Sequence, residues 1–392
     1  MSGSPHPSPT KDAPAKDTPR EAPPVPAHGG RLYTLDGLRL VAALMVVAFH
    51  YIGFNNWSSP IWGAPTPELF PVAHYAAAYG WLGVQLFFLI SGFVICMSSW
   101  GRSLRQFAVS RVSRLYPAYW FAVLLTSGVL VLTYGEDSGI DLGKFLANLT
   151  MFQELMGIRD IDPVYWTLWT EMRFYLLFAI VAAFGLTYRR VVAFCAVWLA
   201  LAMWVPYSGI AWLRLWTVPD AAPYFIAGIV MYLMHRFRPN PVLWVLLAAS
   251  WLVAKDQLSI IMRGGVHSTG HTLLWRVSLA IITVFFLLVL TVALGGLKSL
   301  NRRWLATAGA LTFPLYLLHE ILGWELIRAF HDTMPPWVLI TLLVTLFLGA
   351  SWLVQRYIER PVAKALKKWL GPAPRAGARP AQSAPMVSVR QE

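Results

Sequence analysis

Apolar residues in this chain fall into long runs separated by short polar stretches. Ten runs are long enough, or nearly so, for a helix to cross a hydrocarbon core that needs ~20 apolar residues. They cover about residues 36–54, 78–98, 115–134, 164–186, 190–206, 218–235, 241–255, 272–294, 305–327 and 336–356, the fifth and seventh being the shortest. No long polar interruption divides 36–356, so the pattern predicts an all-α, polytopic membrane protein with one membrane domain over about 31–365 and no appended soluble enzyme. Residues 1–30 hold eight Pro and no apolar stretch, which predicts a disordered N-terminal tail, and residues 366–392 read as a basic, Pro- and Ala-rich C-terminal tail.

Composition agrees: 57% of the 392 residues are hydrophobic and 13% charged. With the N-terminus inside, 23 of the 32 Lys and Arg fall in tails and loops on the cytoplasmic side, which predicts that both termini are cytoplasmic. Topology and attraction to anionic lipid then account for the net charge of +13, and no nucleic-acid partner is expected. The two Cys, Cys96 and Cys195, lie in apolar runs and read as small core residues.

The first run carries Asp36, Arg39 and His50. An ionisable side chain at membrane depth costs at least ~2.5 kcal/mol, so it faces the bundle interior and marks a functional site. Arg39 and His50 are eleven positions apart, within ~20° of one direction on a helix, and Asp36 falls within ~40° of His50 by the same arithmetic. A rise of ~1.5 Å per residue puts His50 at ~18 Å and His319 at ~21 Å from the cytoplasmic side, with Glu171 ~10 Å below the outer surface. The three are expected to converge in the outer half of the membrane, where Pro314 can open the ninth helix just before His319. A second cluster, Arg102, Arg105, Arg111 and Arg114, precedes a helix expected to begin near Leu115. Arg suits forked recognition of phosphate, although such residues also serve as plain cytoplasmic anchors. Plain structural readings exist for the others too. His50 and His319 can be satisfied core imidazoles, Glu171 can pair with Arg173, Asp36 can cap its helix, and Ser91 can be a small residue that permits close packing. His267 and His271 have a metal-ligand spacing but no evident third ligand, and no metal is expected.

The segments LDGLRLVAALMVVAFHY, GVQLFFLISGFVI, FAVSRVSRLYPAYW, WTLWTEMRFYLLF and FPLYLLH occur in that order. Together they resemble the acyltransferase 3 family of membrane O-acyltransferases over about residues 31–365. The resemblance implies transfer of an acyl group, acetyl first among the expectations, from cytoplasmic acyl-CoA to a hydroxyl of a glycan, glycolipid or glycosylated natural product such as a macrolide. It matches Arg39 and His50 to the family's first-helix pair, Arg111 and Arg114 to its cytoplasmic RxxR motif, and Glu171 to the acidic position of its W-[ST]-L-x-x-E segment. The variant with a fused SGNH esterase-like domain is not expected.

Imidazole chemistry suits this reaction, because a base with a pKa near 6.5 can take a hydroxyl proton during attack on a thioester. His50 is therefore expected as general base, or as transient acyl carrier, with Glu171 or His319 orienting it or holding the acceptor. Arg39 is expected to bind pyrophosphate or polarise the thioester carbonyl, and Arg111 and Arg114 to hold the CoA phosphates. A multi-pass protein of a bacterial plasma membrane is implied. Ten helices with buried charge also describe a secondary transporter, but the first-helix motif has no counterpart near residue 200, as paired halves would require. A catalytically silent receptor on the same fold is a third reading, one that would tolerate loss of His50.

Overall fold

The computed structural model describes residues 32–55 and 61–371. The expected tail over 1–30, and the C-terminal tail beyond Gly371, lie outside the described residues. Every regular element described is helical: α1 (Tyr33–Ala48), α2 (Gly83–Ser99), α3 (Leu104–Tyr134), α4 (Trp166–Ala183), α5 (Tyr188–Ser208), α6 (Ala222–Phe237), α7 (Pro241–Thr269), α8 (Trp275–Ala293), α9 (Leu305–Leu318), α10 (Ile321–Phe330), α11 (Pro336–Val354) and α12 (Arg360–Leu370), with loops between them that hold the shorter helices Thr66–Leu69, Ala73–Ala77, Leu142–Thr150 and Ala211–Thr217. Among these residues eight helical stretches are long and apolar enough to cross a membrane, or nine when the bent pair α9 and α10 is taken as one span. The fourth expected segment, 164–186, is not among them: it forms α4, an 18-residue helix that carries Glu171 and Arg173.

Helix α6 is the centre of the bundle, buried over almost its whole length. It packs directly on α2 because both present glycine at the crossing. A Cβ on Gly228 would lie 2.0 Å from the Leu89 carbonyl oxygen, and one on Gly92 would lie 2.1 Å from that of Phe225. Close backbone approach at small residues is how helices gain packing energy when lipid supplies no hydrophobic driving force. Around this pair Phe174 stacks on Phe225 at 4.3 Å, and Phe174 on Trp198 at 5.7 Å. Helix α1 runs against α2 and α9, and Gly309 of α9 admits Asp36, whose Oδ1 a Cβ there would meet at 2.5 Å.

Three boundaries differ from the hydropathy reading. Helix α3 begins at Leu104, where Ser103 and Gln106 form a reciprocal capping box, so Arg105, Arg111 and Arg114 are helical and do not lie in a preceding loop. Helix α7 continues to Thr269 through Lys255, Asp256 and Arg263, residues that end the apolar run but are tolerated in a helix. Residues 366–370, expected in the tail, form the end of amphipathic α12, which packs on α3. Arg105 closes that helix by donating to the carbonyls of Leu370 (3.2 Å) and Gly371 (3.1 Å).

The ninth span is bent by 68° between α9 and α10. Pro314 stays inside α9, and the break falls at His319–Glu320. Side chains take up the backbone groups freed there, as a break at membrane depth requires. His319 Nδ1 donates to the Tyr316 carbonyl (2.8 Å) and Asp162 accepts from the Ile321 amide (3.4 Å), while the His319 carbonyl accepts from both the Gly323 amide (3.1 Å) and the Tyr51 hydroxyl (2.8 Å).

Candidate active site

Helix α1 ends in a wide π-type turn, Phe49–Gly53, that carries His50. Such turns displace one residue from the helical register and are frequent at functional sites. The turn faces the break after α9, and His50 Nδ1 lies 2.8 Å from His319 Nε2. His319 is fully buried, with its Nδ1 2.8 Å from the Tyr316 carbonyl oxygen. The partners define the tautomers. A carbonyl only accepts, so His319 Nδ1 carries the hydrogen and Nε2 the lone pair. His50 Nδ1 must then donate, which leaves the lone pair of His50 on Nε2. Trp324 donates to the His50 carbonyl (3.0 Å) and sets its ring edge against the imidazole at 6.0 Å, further fixing the orientation.

Two acids complete this centre. His50 Nε2 lies 3.7 Å from Glu320 Oε1, and the Glu320 and Asp162 carboxyls are hydrogen-bonded to each other. Asp162, fully buried in the loop before α4, also accepts from the Val164 amide (3.1 Å). Burial pushes its carboxyl up to about 7. Sequence reasoning missed both acids. The available signal was Glu320 itself, an acid directly following a histidine inside an apolar span, which by the cost of burying charge is as unusual as the histidine.

Below lies a cavity of about 540 Å³, a size typical of ligand sites. Arg111, Arg114, Met97, Glu359 and Arg360 line the end that the charge bias assigns to the cytoplasm, and Thr167 and Tyr316 line the other end. Arg39 lies between, with Arg114, Glu171 and Asp36 as its charged neighbours. Arg111 donates to Ser110 Oγ (2.9 Å) and sits over the Tyr175 ring at 5.9 Å, while its Nε is buried without a partner. Several guanidinium groups around one low-dielectric cleft concentrate positive potential and suit a polyphosphate. At the inner end the Tyr316 hydroxyl accepts from Thr167 (2.9 Å) and donates to the Val164 carbonyl (3.3 Å). Tyr316 thus belongs to both places: its side chain closes the cavity and its carbonyl holds His319.

The expected convergence of three groups therefore splits. His50 and His319 meet, whereas Glu171 lines the cavity, one helical turn (~5.4 Å) beyond Thr167. There it accepts hydrogen bonds from Ser91 and Tyr175. Helical rise gives a height along the helix and says nothing about which neighbour the side chain meets. Ser91 is thus a polar partner, and Gly92 beside it makes the close packing. Glu171 does not pair with Arg173, which donates to the Leu215 carbonyl (2.8 Å) and Thr170 (2.9 Å) and lies over Trp169. Asp36 lies four residues beyond Leu32, the N-cap of α1, and is buried against Gly309 on the cavity wall. His271 is bonded to His74 at 3.1 Å.

This all-helical bundle with eight or nine apolar spans, its Arg-lined cavity and its paired histidines are the features of a polytopic membrane protein with an internal polar site, and the sequence match assigns it to the acyltransferase 3 family. The family model described as an acyltransferase domain matches residues 32–356, so the chain belongs to that family. Acyltransferase MdmB of Streptomyces mycarofaciens is 27% identical over 244 residues, which are 54% of this chain and 59% of the relative. The chain thus spans less than two thirds of that relative's length. No solved structure matches.

Proposed function

We propose that the protein is an O-acyltransferase of the bacterial plasma membrane that moves an acyl group, acetyl in the first instance, from cytoplasmic acyl-CoA to a hydroxyl of a glycan, glycolipid or glycosylated natural product. The observation that carries this reading is the continuity of the site. The cationic cavity ends at Tyr316, Tyr316 holds His319, and His319 holds His50. Arg111 and Arg114 bind the CoA phosphates by charge-assisted hydrogen bonds, and Arg39, deeper, steadies the thioester end. Phe87, Phe88 and Val84 supply the apolar wall beside the acyl arm.

The acceptor hydroxyl gives its proton to His50 Nε2 as its oxygen attacks the thioester carbon. The tetrahedral intermediate collapses with cleavage of the carbon–sulfur bond, and the imidazolium returns the proton to the thiolate. His319 keeps Nε2, and not Nδ1, as the basic nitrogen throughout. Glu171 supports the donor cavity from its bonds to Ser91 and Tyr175 and acts at a distance from the base. The test is release of free CoA from acetyl-CoA by purified protein in nanodiscs, with an extract of glycosylated acceptors, for wild type and His50→Ala. Release that requires acceptor and disappears in the variant supports the reading. A folded His50→Ala protein as active as wild type, or wild type that consumes no acyl-CoA with any acceptor, refutes it.

A further inference from the structure

The acyl-transfer reading leaves Glu320 and Asp162 without a role, although two carboxyls in hydrogen-bond contact inside a membrane bundle are costly to keep. Asp162 has its two oxygens engaged by backbone amides, Oδ1 by Val164 at 3.1 Å and Oδ2 by Ile321 at 3.4 Å. Amides donate, so Asp162 is held as the acceptor and the proton between the carboxyls sits on Glu320. Glu320 Oε1 in turn lies 3.7 Å from the only nitrogen of His50 that carries a lone pair. Two acceptors stand off at such a distance, and protonation of Nε2 would turn the contact into a charge-assisted hydrogen bond.

We propose that Glu320 and Asp162 form a one-proton carboxyl pair that moves its negative charge toward His50 when the imidazolium forms. The inference rests on His50 being the base. As the acceptor O–H bond breaks and its proton reaches His50 Nε2, the proton shared by the carboxyls shifts from Glu320 to Asp162. Glu320 becomes the carboxylate next to the imidazolium. When the thiolate takes the proton from Nε2, the shared proton returns to Glu320. One proton stays in the pair throughout, and ester and thiol are the only products. Glu320 and Asp162 act through His50 and are positioning residues. Other titratable groups facing the centre are His319 and Tyr316 from α9, Tyr51 from the α1 turn, and Asp160 and Tyr165 from the outer loop.

The variants are Glu320→Gln, which keeps a donor to Asp162 but cannot lose it, and Asp162→Asn, which cannot take the proton. Each is expected to lower kcat for acceptor-dependent CoA release about 10- to 100-fold, at or below the lower end of what a direct general acid or base contributes, and to leave KM for acetyl-CoA unchanged. Because the pair works as a unit, the double variant should lose no more than either single one. Independently of turnover, ¹⁵N-histidine NMR in nanodiscs, with the His50 signal assigned by its loss in His50→Gln, should show a smaller imidazolium fraction in both variants at fixed pH. A Glu320→Gln enzyme within twofold of wild type, multiplicative losses in the double variant, or losses that follow KM or folded yield would overturn the inference. If wild-type protein consumes no acyl-CoA, the functional reading fails by itself, and an unchanged His50 signal would then still sink the carboxyl-pair proposal.

Discussion

Replacing His319 tests the link between cavity and base most directly. The fully buried imidazole holds two bonds of 2.8 Å, to the Tyr316 carbonyl and to His50 Nδ1. His319→Ala leaves both partners unmatched, and an unsatisfied buried group costs about 1–3 kcal/mol, so the fold should lose about 2–6 kcal/mol in all. The catalytic loss is separate. Without an acceptor opposite Nδ1, the His50 hydrogen is free to move to Nε2 and the ring is free to turn. If the bond is worth about 1.5–3 kcal/mol to the productive orientation, kcat falls about 10- to 150-fold. KM for acyl-CoA should not change, because Arg39, Arg111 and Arg114 line the cavity independently of His319. His319→Gln retains a carbonyl that can accept from Nδ1 and should fall between wild type and Ala. The assay is the steady-state rate of CoA release with acetyl-CoA varied at saturating acceptor, on protein whose monodispersity and melting temperature are measured alongside. Wild-type kcat in a folded His319→Ala protein would refute the tautomer argument. A rise in KM matching the fall in kcat would show that His319 holds the donor and does not orient the base.

Arg111→Lys and Arg114→Lys keep the charge but lose the planar fork, and each should raise KM for acyl-CoA about 5- to 30-fold with kcat little changed; an unchanged KM in both would remove the phosphates from this end of the cavity. Gly228→Ala places a methyl against the Leu89 carbonyl and should destabilise the bundle by about 1–3 kcal/mol or more, whereas Gly264→Ala, with nothing within 4 Å of the new Cβ, should match or slightly exceed wild-type stability, both read as melting temperature. The Asp162–Glu320 pair, with Asp162 raised from 3.8 to about 7 by burial, keeps a proton in the folded state that the unfolded chain has lost. Its contribution is therefore complete below about pH 4 and declines as pH rises to 7, by roughly 1.4 kcal/mol per unit at most, then levels off. Asp162→Asn should flatten a melting-temperature series across that window, and an equally steep series in the variant would show that another group is responsible.

Hydropathy located the spans because crossing a hydrocarbon core imposes length and apolarity on every helix whatever the neighbours do. The pairing of His50 with His319 was legible because both are rare groups at similar computed depth. What remained hidden is what depends on rotation and on breaks. Glu171 has the height of a catalytic acid but turns to Ser91 and Tyr175, and a rise of 1.5 Å per residue cannot distinguish those faces. The start of α3 was misplaced because Arg105, Arg111 and Arg114 interrupt hydropathy, while its true signal is the local hydrogen bonding of Ser103 with Gln106.

The break at His319–Glu320 was hardest to read, since its cause is spread across the chain. His319 Nδ1 satisfies the Tyr316 carbonyl, Asp162 satisfies the Ile321 amide, the Tyr51 hydroxyl adds a second donor to the His319 carbonyl beside the Gly323 amide, and Gly323 clears the space that the Tyr51 ring fills, where a Cβ would meet its hydroxyl at 2.3 Å. Tyr51 and Asp162 are distant in sequence from the break they serve, and without His319 and Asp162 the Tyr316 carbonyl and the Ile321 amide would lose their partners at membrane depth. The residues that make the break affordable are the same ones that deliver His319, Glu320 and Asp162 to His50. Stability and chemistry are therefore coupled at this point: a substitution that repairs α9 into one straight helix would remove the need for Asp162 as a backbone partner, and would also carry His319 away from the base.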